Sequence, residues 1–145
     1  MRELPRQLRP EELAELFEGR TRLVELVAQL VNPLEAAPEV IAELSEEEKV
    51  EALNAHPAIG ARRLSERSAV EQGGATDPAT LTELAYLNQV YEEKFGFRFV
   101  VFVDRRPKTE ILEVLRDRIR RPRAEELETA LGELVAIAED RWRRS

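Results

Sequence analysis

The residues most able to do chemistry sit in one stretch. His56 is the only histidine of the chain and lies directly before Pro57. Twelve residues on comes Ser68, followed by Glu71 and Gln72. On a helix the i, i+3 and i+4 positions share one face, so a hydroxyl, a carboxylate and an amide would be presented together. With an imidazole nearby, that set could shuttle a proton and hold a polar small molecule. Taken singly, each residue also has an ordinary reading: a histidine at a helix end, a solvated polar face. Two further features stand apart from scaffold. The run F-R-F-V-V-F-V at 97–103 is β-branched and aromatic, yet no second strand pattern exists to pair with it. Its main-chain groups need partners in loops, in a second subunit or in a ligand. Arg141 falls on the apolar stripe of the last helix, where a charge needs an anionic partner unless it caps its own helix end.

Composition narrows the function classes. A chain of 145 residues is long enough for one domain with a real core, and residues 1–145 read as a single domain. The net charge of −7 argues against a general nucleic-acid binder. Of the 22 basic residues 19 are arginine, a bias suited to carboxylate recognition but as easily set by codon usage. Cysteine is absent, which removes disulfides, thiol nucleophiles and zinc–thiolate sites. One histidine without cysteine leaves only carboxylates, so no metal site is expected. No apolar run is long enough to cross a membrane, and no apolar signal region opens the chain. The expectation is a cytoplasmic protein with no membrane partner. Phosphate loops, dinucleotide fingerprints and a Ser-His-Asp order are missing.

The elements that must position these residues are helices. Residues 1–9 read as a loose lead-in. Pro10, Glu11 and Glu12 fit a first helical turn, with Leu13, Leu16 and Phe17 inward. A second helix is expected over 21–31, its apolar face formed by Leu23, Leu26, Val27 and Leu30 and its end at Asn32-Pro33. A short helical piece follows over 38–44. Ser45 with Glu48 is a capping box that opens a helix running to about residue 55. Pro57 stops it and leaves His56 at the helix C-terminus. The negative end of the dipole there predicts a histidine pKa raised toward neutrality. Asp77-Pro78 opens a helix to Phe95 with Leu81, Leu84, Leu87, Tyr91 and Phe95 in register, and Asn88 and Tyr91 at the core's edge. Residues 108–119 and 123–143 form the last two helices, the latter with a stripe of Leu127, Leu131, Leu134 and Ala138 leading to Arg141. The fold class is all-α: a single compact bundle-like domain of about seven helices with one short extended segment at about 97–103.

Four motifs in order carry a resemblance. They are H-P-A-I-G at 56–60, S-A-V-E-Q at 68–72, L-N-Q-V-Y-E-E-K-F-G-F-R-F-V at 87–100 and I-A-E-D-R at 137–141. Together they resemble the 2-oxo-4-hydroxy-4-carboxy-5-ureidoimidazoline (OHCU) decarboxylase family, which makes (S)-allantoin in urate degradation without a cofactor. The resemblance covers roughly two thirds of the chain, from about residue 47 to residue 143. It implies His56 and Glu71 as the catalytic pair. It implies Pro57, Ser68, Gln72, Phe99, Val100 and Arg141 as substrate-binding residues, with main-chain amides serving at Phe99 and Val100. It also implies a homodimer, a small ureidoimidazoline substrate and no cofactor. The chain departs from the family's pattern in its first third. F-E-G-R-T-R-L-V-E-L at 17–26 stands where many members carry S-P-W, and H-P-A-I-G lacks the acid of H-P-D-L. The alternative readings are a lyase or hydrolase acting on another ureido compound, and a non-catalytic helical module that binds a partner protein.

Overall fold

The computed structural model describes residues 3–57 and 78–144. Among them the chain forms seven helices and no strand, an all-α fold. The helices are α1 Pro10–Leu16, α2 Arg22–Val27, α3 Pro33–Glu43, α4 Glu46–Asn54, α5 Pro78–Phe95, α6 Lys108–Arg118 and α7 Arg123–Arg144. None is long and apolar enough to cross a membrane. The helix α7 is the spine: α1, α3 and α4 pack on it, α2 fills the space beside α1, α3 and α4, and α5 packs on α6.

Local chemistry sets most of the boundaries. Glu12 accepts a hydrogen bond from the Arg9 amide at 3.1 Å, and Pro10 fills the first position of α1. Thr21 caps α2 through its hydroxyl. Ser45 and Glu48 close the expected capping box on α4, at 3.1 and 2.9 Å. Gly96, with φ +81°, ends α5 in the left-handed conformation that glycine adopts without strain. Residues 3–9 have no regular structure but are tied down. Leu8 is buried, the Asn32 amide donates to the Arg6 carbonyl at 2.7 Å, and Trp142 Nε1 donates to the Glu3 carbonyl at 2.6 Å.

Several boundaries differ from expectation. The helix α2 stops at Val27 rather than residue 31, and Leu30 and Val31 face solvent. The expected piece at 38–44 is instead the C-terminal part of the longer α3. Asn32 takes a left-handed φ of +54° and Pro33 starts the helix, so Asn32-Pro33 opens α3 as well as closing the preceding turn. Pro38 sits inside α3 and is exposed; it forfeits one main-chain hydrogen bond on the solvent side, while Leu34, Ala37 and Ile41 anchor the buried side. Leu81 is exposed on α5, whereas Asn88 and Tyr91 are fully in the core rather than at its edge.

Candidate active site

The end of α4 is drawn into the protein. The His56 amide donates to the Leu53 carbonyl at 3.2 Å, a final tight turn that Pro57 cannot extend. Asn54 accepts the Arg98 amide at 3.0 Å, and the Arg98 guanidinium donates to the His56 carbonyl. The extended segment is therefore stitched to the chain on both sides of Ala55. His56 is 5% exposed, and among the described residues its Nε2 has no hydrogen-bond partner. A buried imidazole nitrogen without a partner forgoes a hydrogen bond it could make in water, and such groups concentrate at functional sites.

Arg141 reaches the same place from α7. It is 2% exposed, and its Nη1 donates to the Leu16 carbonyl at 3.1 Å and meets the Glu18 carboxylate at 3.0 Å. Arg141 thus caps the C-terminus of α1, not of its own helix. Glu18 is thus an anionic partner of the kind that a charge on this stripe requires. It lies in the turn between α1 and α2 with a left-handed φ of +65°. The next residue, Gly19, lets the turn press on the end of α4: a Cβ there would stand 3.2 Å from the Ala55 Cβ.

These charges act on His56. Its pKa is lowered from 6.5 to about 4, first by burial and then by Arg141, with Glu18 pulling the other way and Arg98 adding to the depression. The expected rise toward neutrality is overturned: the carbonyl end of α4 is outweighed by desolvation and by two guanidinium groups. At neutral pH His56 is an uncharged imidazole.

The extended segment finds its partners in side chains. Besides Asn54, Glu133 Oε1 accepts the Phe102 amide at 3.3 Å and Arg118 donates to the Val100 carbonyl at 2.8 Å. Behind it lies a buried polar cluster. Arg118 Nε and the Tyr91 hydroxyl both donate to Glu126 Oε1, at 2.5 and 2.6 Å, and the Arg118 guanidinium lies 4.6 Å from the centre of the Phe99 ring. Burial and the bond to Glu126 push the Tyr91 pKa well above its usual value, so its hydroxyl stays protonated. Phe99 and Val100 are themselves core residues. What this segment can offer a ligand is main chain, not those two side chains.

The structure therefore brings together His56, Pro57, Arg141 and the segment holding Phe99 and Val100. Ser68, Glu71 and Gln72 lie outside the described residues. Among the described residues no cluster of His, Cys, Asp and Glu side chains could hold a metal ion. Glu18, Arg98, Arg118 and Glu126 were not singled out from the sequence. Glu126 had a signal: it lies four and eight residues before Ala130 and Leu134 on the buried face of α7. Glu18 had only the neighbouring glycine, a mark of a turn and not of a charge pair.

The model of the OHCU decarboxylase family matches residues 2–143. The chain belongs to the OHCU decarboxylase family. Among curated members, it is 33% identical over 109 residues to the 2-oxo-4-hydroxy-4-carboxy-5-ureidoimidazoline decarboxylase of Halalkalicoccus jeotgali, covering 72% of this chain and 62% of that one. It is 32% identical over 110 residues to the enzyme of the same name from Haloferax volcanii, covering 72% and 65%. It is also 36% identical over 100 residues to the uric acid degradation bifunctional protein TTL of Arabidopsis thaliana, covering 62% and 31%. The matched stretch thus spans less than two thirds of each of these relatives. Among solved structures, one of OHCU decarboxylase in the presence of (S)-allantoin superposes with a TM-score of 0.76 at 25% identity, covering 90% of this chain and 94% of that one. An (S)-allantoin synthase superposes with a TM-score of 0.70 at 21% identity, covering 91% of this chain and 47% of that one, a likeness of fold. Within the OHCU decarboxylase family frame, His56, the extended segment and Arg141 fall in the order in which the sequence motifs run.

Proposed function

We propose that this chain is a carboxy-lyase that converts 2-oxo-4-hydroxy-4-carboxy-5-ureidoimidazoline to (S)-allantoin in urate degradation, without a cofactor. The observation that carries the reading is the buried imidazole with an unpartnered Nε2 beside the Arg141–Glu18 pair. Membership of the family and the likeness to a structure solved with (S)-allantoin support it. Catalysis is assigned to His56 and Glu71. Pro57, Ser68, Gln72, Arg141 and the main chain at Phe99 and Val100 are assigned to substrate binding. The working form is a cytoplasmic single-domain protein that pairs as a homodimer.

Decarboxylation breaks the bond between the ring carbon and the carboxylate. The electron pair left behind moves into the adjacent C=N unit of the substrate's own ring, which is why no external electron sink is required. The ring nitrogen of that C=N unit takes up a proton, the 4-hydroxyl gives up its proton and becomes a carbonyl, and a proton is delivered to the neighbouring carbon, so the reaction takes up one proton overall. A neutral His56 is the form that can accept the hydroxyl proton. Once protonated it stands near two guanidinium groups, so it holds the proton weakly and passes it on. Glu71 orients this exchange. The charge that grows on the ring is met by donors fixed beforehand, Arg141 and main-chain amides. Delivery to one face sets the handedness. Positioned acid–base catalysis contributes ~10²–10⁴-fold, so His56→Asn is expected to lower kcat by at least about a hundredfold. Turnover within about threefold of wild type would remove His56 from this role.

A further inference from the structure

Arg141 has two conceivable tasks in a decarboxylase, and they oppose each other. As counter-ion to the departing carboxylate it would stabilise the ground state and slow the step. As donor to the ring oxygen it would stabilise the transition state. Its surroundings decide between them. The guanidinium is not held out as an open cation. It is buried, lies against the Leu16 carbonyl at 3.1 Å, and is ion-paired with Glu18 at 3.0 Å. Glu18 is only 12% exposed in its side chain, so water screens the pair poorly. The backbone gives independent support. Glu18 holds φ +65°, a conformation that is unfavourable for an ordinary L-residue and that glycine accepts freely. The next residue, Gly19, faces Ala55 beside His56 so closely that a Cβ on it would stand 3.2 Å from the Ala55 Cβ. A glutamate kept in a glycine-like conformation next to a buried arginine fits a charge needed at that spot.

We propose that Glu18 is a specificity-determining positioning residue: its carboxylate neutralises Arg141, so that the guanidinium serves the substrate's ring oxygen as a hydrogen-bond donor and does not capture its carboxylate. This inference rests on the decarboxylase reading. The remaining charges recorded around His56 fit it. Arg98 is itself ion-paired with Glu92 at 3.4 Å, so neither guanidinium stands as a bare anion trap.

The test is Glu18→Gln, which keeps the side chain's size and a hydrogen-bond acceptor but removes the charge. Without the Glu18 charge, Arg141 turns to the carboxylate. KM and kcat then fall together, each by about tenfold, while kcat/KM stays within about threefold. A purely structural glutamate would leave both unchanged in the folded variant, and a residue that only orients Arg141 would raise KM. Either result overturns the proposal. A second measurement does not depend on turnover. By calorimetry, N-carbamoylglycine, a ureido carboxylate, should bind the variant about tenfold more tightly than wild type, and neutral hydantoin within about twofold of it. Glu18→Gly, which suits the left-handed turn, should behave alike and serves if Glu18→Gln does not fold. No tightening in either variant overturns the proposal. Tightening in the variants, together with no decarboxylation by the wild type, would sink the activity reading and leave the charge balance standing.

Discussion

At His56 two effects oppose each other. The carbonyl end of α4 favours the imidazolium by ~0.3–2 kcal/mol. Burial and the nearby guanidinium groups take the pKa from 6.5 to about 4, a net shift of the order of 3 kcal/mol the other way. Desolvation wins because the ring is almost wholly out of water. The sign of the pH dependence follows. Above pH 6.5 the ring is neutral in folded and unfolded chains alike. Between 6.5 and about 4 only the unfolded chain takes the proton, so unfolding is favoured progressively as pH falls through that window. Urea melts from pH 7 to pH 4.5 should show this loss, and His56→Gln should flatten it by up to roughly 3 kcal/mol. Equal slopes in the two proteins would mean that the imidazole is not desolvated. The place of His56 was legible from Pro57 and the capping box, because helix ends are set by local chemistry. Its ionisation was not. That depends on Arg141, Arg98 and Glu18, which approach from 85, 42 and 38 residues away in the chain.

Elements show the same division. The helices α4 to α7 were legible nearly to the residue, since each has a proline, a glycine or a capping pair at an end. The helices α2 and α3 were not. Helical periodicity over 21–31 continues past the point where tertiary packing ends, and Leu30 is left in solvent. The extended segment was recognised as lacking a strand partner, and its partners proved to be side chains of α4, α6 and α7. The strut behind it is testable. Arg118→Met strands the Glu126 carboxylate in the core and should cost about 3–5 kcal/mol. Arg118→Met with Glu126→Leu removes both charges and should recover much of that loss in denaturant unfolding. Equal destabilisation by the single and double changes would contradict a role for charge pairing in the strut. At the start of α4, Ser45→Ala should cost ~0.5–2 kcal/mol, because it removes the hydroxyl that accepts the Glu48 amide. A null result there would mean that packing alone sets the helix start and, with it, the position of His56.

On the scale of the molecule, α7 does two things with one face. Leu127, Ala130, Leu131, Leu134 and Ala138 supply core, and Glu126 and Arg141 on the same face place a charge near each end of it. Glu126 ties down the extended segment through Arg118, and Arg141 ties down the turn after α1. Helix α4 brings His56 between them. The stripe on α7 showed that Arg141 needs an anionic partner and the family resemblance implied that it joins His56, but that partner, Glu18, sits in the part of the chain that departs from the family's usual motif. The most direct measurement follows circular dichroism as the purified chain is fed 2-oxo-4-hydroxy-4-carboxy-5-ureidoimidazoline generated in place from urate. The expected result is the dichroism of (S)-allantoin alone, appearing faster than the spontaneous reaction and lost in His56→Asn. Racemic allantoin at the spontaneous rate, from wild type and variant alike, would contradict the assignment.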